Sequence, residues 1–277
     1  MSEAEVLVDR LGGLAVIRLN RPRVINALSL TMIESLVSWL THLSEDAGVT
    51  AILLRGEGER GFCAGGDVKA VREAVQAGRP GAARHYFATE YRLDALVAAC
   101  PKPVIAFQHG VVMGGGVGLS APARHRVGVT GAQFAMPEPA IGFFADVGVN
   151  FALRGAPRHR ALAFTMSGLP VGVADARALG LCDAEVAPAD LDTLQAELVD
   201  AAAGAEPAAA IAAAIAGLEP ETGEAAFCAV ADALRAVFEA PDPAALTARL
   251  ETAAKADPRG FAATLADAFG SGCPTSQ

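Results

Sequence analysis

Residues 104–150 constrain the fold more than any other part of this chain. The segment opens with the apolar run Val104 to Phe107, which is short enough to be a buried strand. Four of the five residues at positions 114–118 are then glycine. Side chains do not cover the N–H groups of such a turn, so it can present oriented donors to an anion. A glycine cluster after a strand is equally typical of a tight turn with close helix packing.

Two carboxylates, Glu138 and Asp146, lie further along the same apolar segment. Carboxylates in apolar surroundings can transfer protons or attack a carbonyl carbon, and N–H donors can hold the oxyanion that forms. A structural interpretation is also open. Glu138 follows Pro137 and would stand in the first turn of a helix, while Asp146 would be the N-cap of a helix over residues 147–155.

A second loop of small residues favours the catalytic interpretation. It has the sequence FCAGGDV at residues 62–68 and leads into a helix predicted over residues 67–77. An oxyanion hole needs two N–H donors, which often come from different segments. The two loops together predict such a site. Cys63 lies in this loop, and we interpret it as structural, since the sequence shows no basic partner for a nucleophile.

Charge and composition disfavour several functional classes. The net charge is −9 and no Lys/Arg cluster stands out, which disfavours a nucleic-acid partner. No apolar run approaches the roughly eighteen residues of a membrane span. The cysteines are dispersed without a CxxC pair, as is typical of reduced thiols, and the histidines lack metal-ligand spacing. The first residues lack the apolar region of a signal peptide, so we expect a cytoplasmic protein with no metal.

The spacing of the apolar residues predicts an α/β fold. Strands are predicted over residues 6–10, 14–19, 49–55, 104–107, 125–129, 133–135 and 183–186. Helices are predicted over residues 29–45, 67–77, 80–100, 147–155, 157–166 and 173–179. Alternating strands and helices indicate crossover connections. We predict a core over residues 1–188 that carries the site, followed by an alanine-rich helical region over residues 189–277.

Three motifs, FCAGGDV, HGVVMGGGVGLS and FAMPEPAIGFFADVG, resemble those of the crotonase (enoyl-CoA hydratase/isomerase) superfamily. The resemblance covers roughly residues 6–190 and is far more specific than a lone glycine pattern. It implies the crotonase (ClpP-like) fold, in which repeated ββα units form a spiral core with a C-terminal helical region. It also implies a small-molecule acyl-CoA substrate, with coenzyme A as part of the substrate and no separate cofactor. Crotonases commonly form trimers or dimers of trimers, so a homo-oligomer, trimer or hexamer, is expected.

The resemblance implies roles for individual residues. Glu138 and Asp146 match the catalytic carboxylates, and the N–H groups of Gly66 and Gly115 match the oxyanion donors. The residues matched to substrate binding are Arg21, Arg23, Ala27, Ala64, Asp67, Val68, Gly114 and Gly118. Arg21 and Arg23 are the candidates for contacts with the coenzyme A phosphates.

Position 118 separates two reactions within the superfamily. Hydratases typically carry a glutamate there, whereas this chain has Gly118. The chain resembles 3-hydroxyisobutyryl-CoA hydrolases, which have glycine at that position and carboxylates at those of Glu138 and Asp146. The resemblance therefore implies hydrolysis of a short-chain 3-hydroxyacyl-CoA thioester, such as 3-hydroxyisobutyryl-CoA.

Two routes for that hydrolysis stay open, because Glu138 either activates water or attacks the thioester directly. Asp146 would orient the substrate hydroxyl or assist proton transfer to the leaving thiol. Enoyl-CoA hydratase or isomerase activity is the first alternative to hydrolysis, and non-catalytic acyl-CoA binding is the second.

Overall fold

A six-stranded sheet forms the centre of the molecule in the computed structural model, which describes residues 4–218 and 223–269. The strands of the described residues are β1 (Val6–Leu11), β2 (Leu14–Leu19), β3 (Ala51–Gly56), β4 (Val104–Gln108), β5 (Val111–Met113), β6 (His125–Val129), β7 (Gln133–Ala135) and β8 (Ala184–Val186). The main sheet has the order β1-β2-β3-β4-β6-β8, and β5 and β7 form a second sheet. Every predicted strand is confirmed to within two residues at each end, while β5 was not predicted.

The main sheet is parallel except at one edge. β1 and β2 form the predicted antiparallel hairpin, with Val6 opposite Leu19. The pairs β2–β3, β3–β4, β4–β6 and β6–β8 are all parallel. All five residues of β4 are buried, as expected for a strand covered on both faces of a sheet. The predicted α/β class with crossover connections is therefore confirmed.

The second sheet brings the two small-residue loops together. β5 and β7 pair in parallel, with Val112 opposite Phe134. Cys63 also pairs with Val112 through an isolated bridge. Each of these short segments follows a strand of the main sheet and precedes a helical segment. This is the repeated ββα unit that the resemblance implied, and it places residues 62–66 beside residues 111–115.

The first four helices are α1 (Leu30–Glu45), α2 (Val68–Gln76), α3 (Pro80–Ala98) and α4 (Gly115–Ser120). α1 begins after Ser29, whose hydroxyl accepts the Met32 N–H at 3.0 Å. Its buried side chains recur at the three- and four-residue spacing of one helix face: Met32, Ile33, Leu36, Leu40 and Leu43. α3 begins with Pro80 at its first turn, where the missing N–H breaks no helical hydrogen bond.

The remaining helices are α5 (Val149–Ala152), α6 (Arg158–Ser167), α7 (Val173–Leu179), α8 (Leu191–Ala203), α9 (Pro207–Ala216), α10 (Ala226–Ala233), α11 (Arg235–Phe238), α12 (Pro243–Ala256) and α13 (Phe261–Phe269). The prediction of a helix from residue 147 is wrong at its start. Val147 has φ +46° and Gly148 has φ +73°, so neither residue is in the right-handed helical region.

Helices cover both faces of the main sheet. Leu194 and Leu198 of α8 and Ile211 and Ile215 of α9 belong to the cluster that packs on one face, around Ile105 of β4. The larger cluster on the other face includes residues of α1, α3, α6 and α7. Each large apolar side chain buried in this way contributes about 1.5–3 kcal/mol. Within the described ranges, no helix combines the length and apolarity that crossing a bilayer requires.

Candidate active site

The two glycine loops meet at Gly66 and Gly115. A Cβ atom built on Gly115 would lie 3.2 Å from the nitrogen of Gly66, and one built on Gly65 would lie 3.2 Å from the nitrogen of Gly115. Gly65 has φ +100°, which favours glycine, and its carbonyl oxygen accepts the Leu28 N–H at 2.8 Å. Gly65 therefore needs glycine for its conformation, and Gly66 and Gly115 need it because other atoms approach them closely.

Both candidate donors are free to bind a ligand. Among the hydrogen bonds of residues 4–218 and 223–269, neither the Gly66 N–H nor the Gly115 N–H is bonded to an acceptor. A neighbouring residue in each loop has its backbone N–H hydrogen-bonded. Gly114 donates to the Ala135 carbonyl at 3.0 Å, and Asp67 donates to the Leu28 carbonyl at 3.0 Å. Two adjacent unpaired N–H groups can hold the oxygen of a polarised carbonyl.

Glu138 lies directly beside the glycine turn. It is the first residue of a 3-10 helix, Glu138–Ile141. Glu138 therefore does stand in the first turn of a helix, as the structural interpretation predicted. Its side chain is buried, and a Cβ built on Gly114 would lie 2.6 Å from Oε1. Oε2 is buried and makes no hydrogen bond within the described part of the chain. Burial, and then the charge of Asp146, raise the pKa of Glu138 to about 7.

Asp146 is half-buried and is held by a tyrosine. The hydroxyl of Tyr91 on α3 donates to Asp146 Oδ2 at 2.5 Å. Asp146 does not cap a helix with its side chain; its backbone carbonyl accepts the Val149 N–H at 3.0 Å. The prediction of an N-cap is therefore wrong. Burial raises the pKa of Asp146, and the Tyr91 hydrogen bond opposes that rise.

Helix α3 contributes a third carboxylate that the sequence analysis missed. Glu90 is 3% exposed, and a Cβ built on Gly115 would lie 2.6 Å from its Oε1. Burial, followed by the charges of Asp146 and Glu138, raises the pKa of Glu90 to about 8. The sequence does contain a pattern that could have identified Glu90. It lies at helical spacing between Tyr86 and Leu93, within the buried face of α3. An ionisable residue within an apolar stripe indicates a functional position.

Tyr86 and Asp94, also on α3, complete the polar groups around these carboxylates. The Tyr86 hydroxyl donates to the Leu28 carbonyl at 2.7 Å, and a Cβ built on Gly66 would lie 2.7 Å from that hydroxyl. Asp94 has a buried Oδ2 without a hydrogen-bond partner in the described residues, and burial raises its pKa. Burial, and then the repulsion among neighbouring carboxylates, raises the pKa of Glu90, Asp94 and Glu138.

A cavity of about 170 Å³ lies between the two glycine loops. Polar groups of Glu90, Glu138 and Asp146 line it together with both glycine loops. Its apolar walls come from Val68, Val71, Phe87, Ile141, Phe143 and Val147. A larger cavity of about 990 Å³ adjoins it, and both cavities are lined by Asp146 and Val147. The small cavity gives a reacting group access to both N–H donors and to the carboxylates.

The residues matched to substrate binding fall into three groups. Ala64, Val68 and Gly114 line the small cavity. Arg21 is half-buried, and its guanidinium contacts Asp67 Oδ2 at 3.3 Å, Glu5 Oε1 at 3.2 Å and the carbonyl oxygen of Ala27. These contacts hold the loop of residues 21–27 against the first glycine loop.

Five of the matched residues do not line the small cavity: Arg21, Arg23, Ala27, Asp67 and Gly118. The Arg23 side chain is exposed and makes no ion pair within residues 4–218 and 223–269. Gly118 is buried in α4, where a Cβ would lie 2.4 Å from Cβ of Val147. Position 118 therefore has no room for a side chain while Val147 keeps its place.

Cys63 is fully buried under the site. Its thiol donates to the Asn26 carbonyl at 3.2 Å, and burial raises its pKa to about 12. A thiol held protonated in this way is a poor nucleophile, which agrees with the structural interpretation of Cys63. The described residues contain no cluster of three or more His, Cys, Asp or Glu side chains that could hold a metal ion.

Comparisons with known proteins identify the family. The family model described as enoyl-CoA hydratase/isomerase matches residues 14–277. The solved structure of a carnitinyl-CoA dehydratase from Mycobacterium thermoresistibile superposes with a TM-score of 0.85 at 34% identity, covering 96% of this chain and 75% of that one. The chain belongs to the enoyl-CoA hydratase/isomerase family, and its fold is the crotonase fold.

Curated relatives narrow the resemblance within that family. A mitochondrial 3-hydroxyisobutyryl-CoA hydrolase of Gallus gallus is 46% identical over 152 residues, which is 55% of this chain and 39% of the relative. The mitochondrial 3-hydroxyisobutyryl-CoA hydrolase of Rattus norvegicus is 39% identical over 196 residues, which is 71% of this chain and 51% of the relative. The chain thus spans about half the length of the curated relatives it matches.

Proposed function

We propose that this protein hydrolyses the thioester bond of a short-chain 3-hydroxyacyl-CoA, such as 3-hydroxyisobutyryl-CoA. One observation carries the proposal: the buried carboxyl of Glu138 lies beside the unpaired N–H groups of Gly66 and Gly115, while Val147 closes the space over Gly118. A thioester carbonyl oxygen held by the two N–H groups would place its carbon within reach of Glu138 or of a water held by it. The names of the curated relatives support the same reaction.

The chemistry follows from the donors and the carboxylates. As the oxygen of water adds to the carbonyl carbon, the negative charge moves to the carbonyl oxygen, where the two N–H groups stabilise it. In known enzymes one such donor contributes about 10²–10³-fold to turnover. Collapse of the tetrahedral intermediate breaks the carbon–sulfur bond, and the departing thiolate takes up one proton.

Glu138 has two ways to begin this reaction. It can accept the proton from water, or its carboxylate can attack the carbonyl carbon to give a mixed anhydride that water then hydrolyses. Either route requires the ionised form of Glu138. Because burial raises its pKa to about 7, a substantial part of the protein holds that form at neutral pH. Asp146, which accepts the Tyr91 hydroxyl, would orient a substrate hydroxyl or donate a proton to the thiolate.

A second candidate function is hydration of an enoyl-CoA. It needs a base for water and an acid for the α-carbon. The first glutamate of hydratases is replaced by Gly118 here, yet Glu90 offers another carboxyl at the glycine loops, and its pKa of about 8 keeps it largely protonated at neutral pH. Glu138 and Glu90 are therefore a candidate pair for this reaction.

Thiol release over a short panel of acyl-CoA esters tests the proposal. Saturated 3-hydroxyacyl-CoA esters should release free coenzyme A, detected with a thiol reagent, and Glu138→Gln protein should not release it. Loss of enoyl absorbance without thiol release would support the hydratase instead. Tight acyl-CoA binding without thiol release or loss of enoyl absorbance would contradict both enzymatic activities and would support a non-catalytic acyl-CoA-binding protein.

A further inference from the structure

The small cavity and the large cavity are separated by very little protein. Asp146 and Val147 line both of them, whereas Val68 and Val71, beside the first glycine loop, line only the small one. Tyr91 lines the large cavity and holds Asp146 by the hydrogen bond of 2.5 Å. The wall between the two cavities is therefore the Val147 side chain together with the Tyr91–Asp146 pair.

Val147 has an unusual backbone conformation for its residue type. Its φ of +46° lies in the left-handed region, which β-branched residues rarely adopt. The side chain is nonetheless 6% exposed and belongs to the main core cluster. A conformation of this kind persists only where the surrounding structure enforces it, and such residues concentrate at functional sites.

Packing against Gly118 holds the Val147 side chain in place. A Cβ atom on Gly118 would lie 2.4 Å from Val147 Cβ, 2.8 Å from Cγ2 and 3.1 Å from Cγ1. Glycine at position 118 thus allows valine at position 147 to press directly onto α4. The valine fills the space between the carboxylates and the large cavity.

We infer that Val147 limits the length of the acyl group that the protein accepts, an inference that rests on the proposed thioester site. With Val147 in place, the acyl group is confined to the small cavity of about 170 Å³. This is below the roughly 300–1,000 Å³ that pockets for drug-sized ligands occupy, so only a short acyl group fits.

The space behind Val147 suits a longer apolar chain. The large cavity has a volume of about 990 Å³, and its walls include Ala95, Ala98, Ala121, Phe144 and Phe151. Arg21 and Arg23, the residues matched to the coenzyme A phosphates, do not line it. The large cavity therefore lies on the acyl side of the site, and removing the valine side chain joins it to the small one.

Val147→Gly tests the inference, because glycine adopts a positive φ without strain and removes the valine part of the wall while the Tyr91–Asp146 pair stays. The ketone analogues of butyryl-CoA and octanoyl-CoA, in which a methylene separates sulfur from the carbonyl carbon, bind without being hydrolysed. We expect the variant to gain affinity for the octanoyl analogue relative to the butyryl analogue by about tenfold or more, since one methylene in an apolar pocket contributes roughly 10–200-fold. Val147→Ala, which keeps only Cβ, should give a smaller shift in the same direction.

The matched control is Val149→Ala. Val149 is fully buried two residues away but lines neither cavity, so its truncation should lower stability and leave the ratio of the two affinities unchanged. Equal affinity ratios in wild type and in both Val147 variants would overturn the inference. So would a shift of the same size in Val149→Ala, because the wall would then not be the cause.

Thiol release from 3-hydroxybutyryl-CoA and 3-hydroxyoctanoyl-CoA, measured on the same proteins, separates this inference from the proposed function. Wild type should cleave the shorter ester, and Val147→Gly should gain cleavage of the longer one. If no ester is cleaved but the ratio of the analogue affinities shifts, the proposed hydrolase activity is wrong and the limit that Val147 sets on acyl length is supported. If wild type cleaves the short ester and the affinity ratio does not shift, the hydrolase stands and the length limit fails. Failure of both analogues to bind wild type overturns the inference as well.

Discussion

The two glycine loops and helix α3 face the same small cavity, but they contribute to it by different physical means. The loops offer the backbone N–H groups of Gly66 and Gly115, and the close approach of the two backbones sets their positions. These N–H groups do not titrate with pH. Helix α3 offers side chains, above all Glu90, whose protonation is set by burial and by neighbouring carboxylates. The loops therefore determine where a carbonyl oxygen can bind, whereas α3 influences the pH at which the carboxylates of the site ionise.

The largest effect should come from the carboxylate that lies beside the loops. Glu138→Gln keeps the shape of the side chain but can neither accept a proton nor attack a carbonyl carbon. We expect thiol release to fall by about 10²–10⁴-fold, with acyl-CoA binding and the melting temperature nearly unchanged. Asp146→Asn should also lower turnover, and the double variant should lose less than the product of the two single losses. Variants that unfold earlier yet cleave at wild-type rates would contradict the catalytic assignment.

The loop side of the comparison is tested by Gly115→Ala. A Cβ at this position would lie 2.6 Å from Glu90 Oε1 and 3.2 Å from the Gly66 nitrogen, so it would fill the space between the donors. We expect turnover to fall by about 10²–10³-fold, the effect of losing one oxyanion donor. Gly81→Ala in α3 is the control, because nothing lies within 4 Å of its added Cβ. Equal turnover in the two variants would remove Gly115 from the donor pair.

The contribution of α3 is tested by comparing how the free energy of unfolding depends on pH in wild type and in Glu90→Gln. The pKa of Glu90 is raised from 4.5 to about 8, so the folded state holds a proton that the unfolded state releases in this range. The stabilisation is complete below about pH 4.5 and is lost as the pH rises through about 8. At about 1.4 kcal/mol per pKa unit, the loss in wild type amounts to a few kcal/mol at most.

Urea unfolding of wild type and Glu90→Gln at about pH 5 and about pH 9 measures this difference. Wild type should lose more stability than the variant between the two conditions, because glutamine does not titrate. Parallel losses in the two proteins would show that Glu90 has an ordinary pKa. In the same variant, intact thiol release at neutral pH would also argue against Glu90 as an essential acid.

The smallest effect should come from the exposed arginine beside the first loop. Arg23→Ala should weaken acyl-CoA binding by a factor of about 2–5 at low salt, as is typical of an exposed charge contact, and the effect should shrink as salt rises. Arg158→Ala at the start of α6, another exposed arginine that lines neither cavity, is the control. If the two variants bind alike at every salt concentration, Arg23 does not contact the phosphates.

The α/β class, nearly all of the strands and the two glycine loops could be predicted from the sequence. These features have local causes: apolar spacing sets strands and helices, and glycine marks the turns where backbones approach closely. Glu138 and Asp146 were found for the same reason, since a carboxylate in an apolar segment is visible without knowledge of its neighbours. The family resemblance rested on these same short motifs.

Which other groups join Glu138 and Asp146 at the site depends on how distant parts of the chain pack. Glu90 and Tyr91 reach the site because α3 packs across loops that lie tens of residues away in the chain, and such contacts leave little local trace. The strand β5 was missed because its apolar run is only three residues long, and its pairing with β7 and with Cys63 is set by the folded chain. Val147 looked like the start of a helix, yet it has a left-handed backbone and lies against Gly118, 29 positions earlier. Its conformation is imposed by packing, and packing is a property of the folded chain.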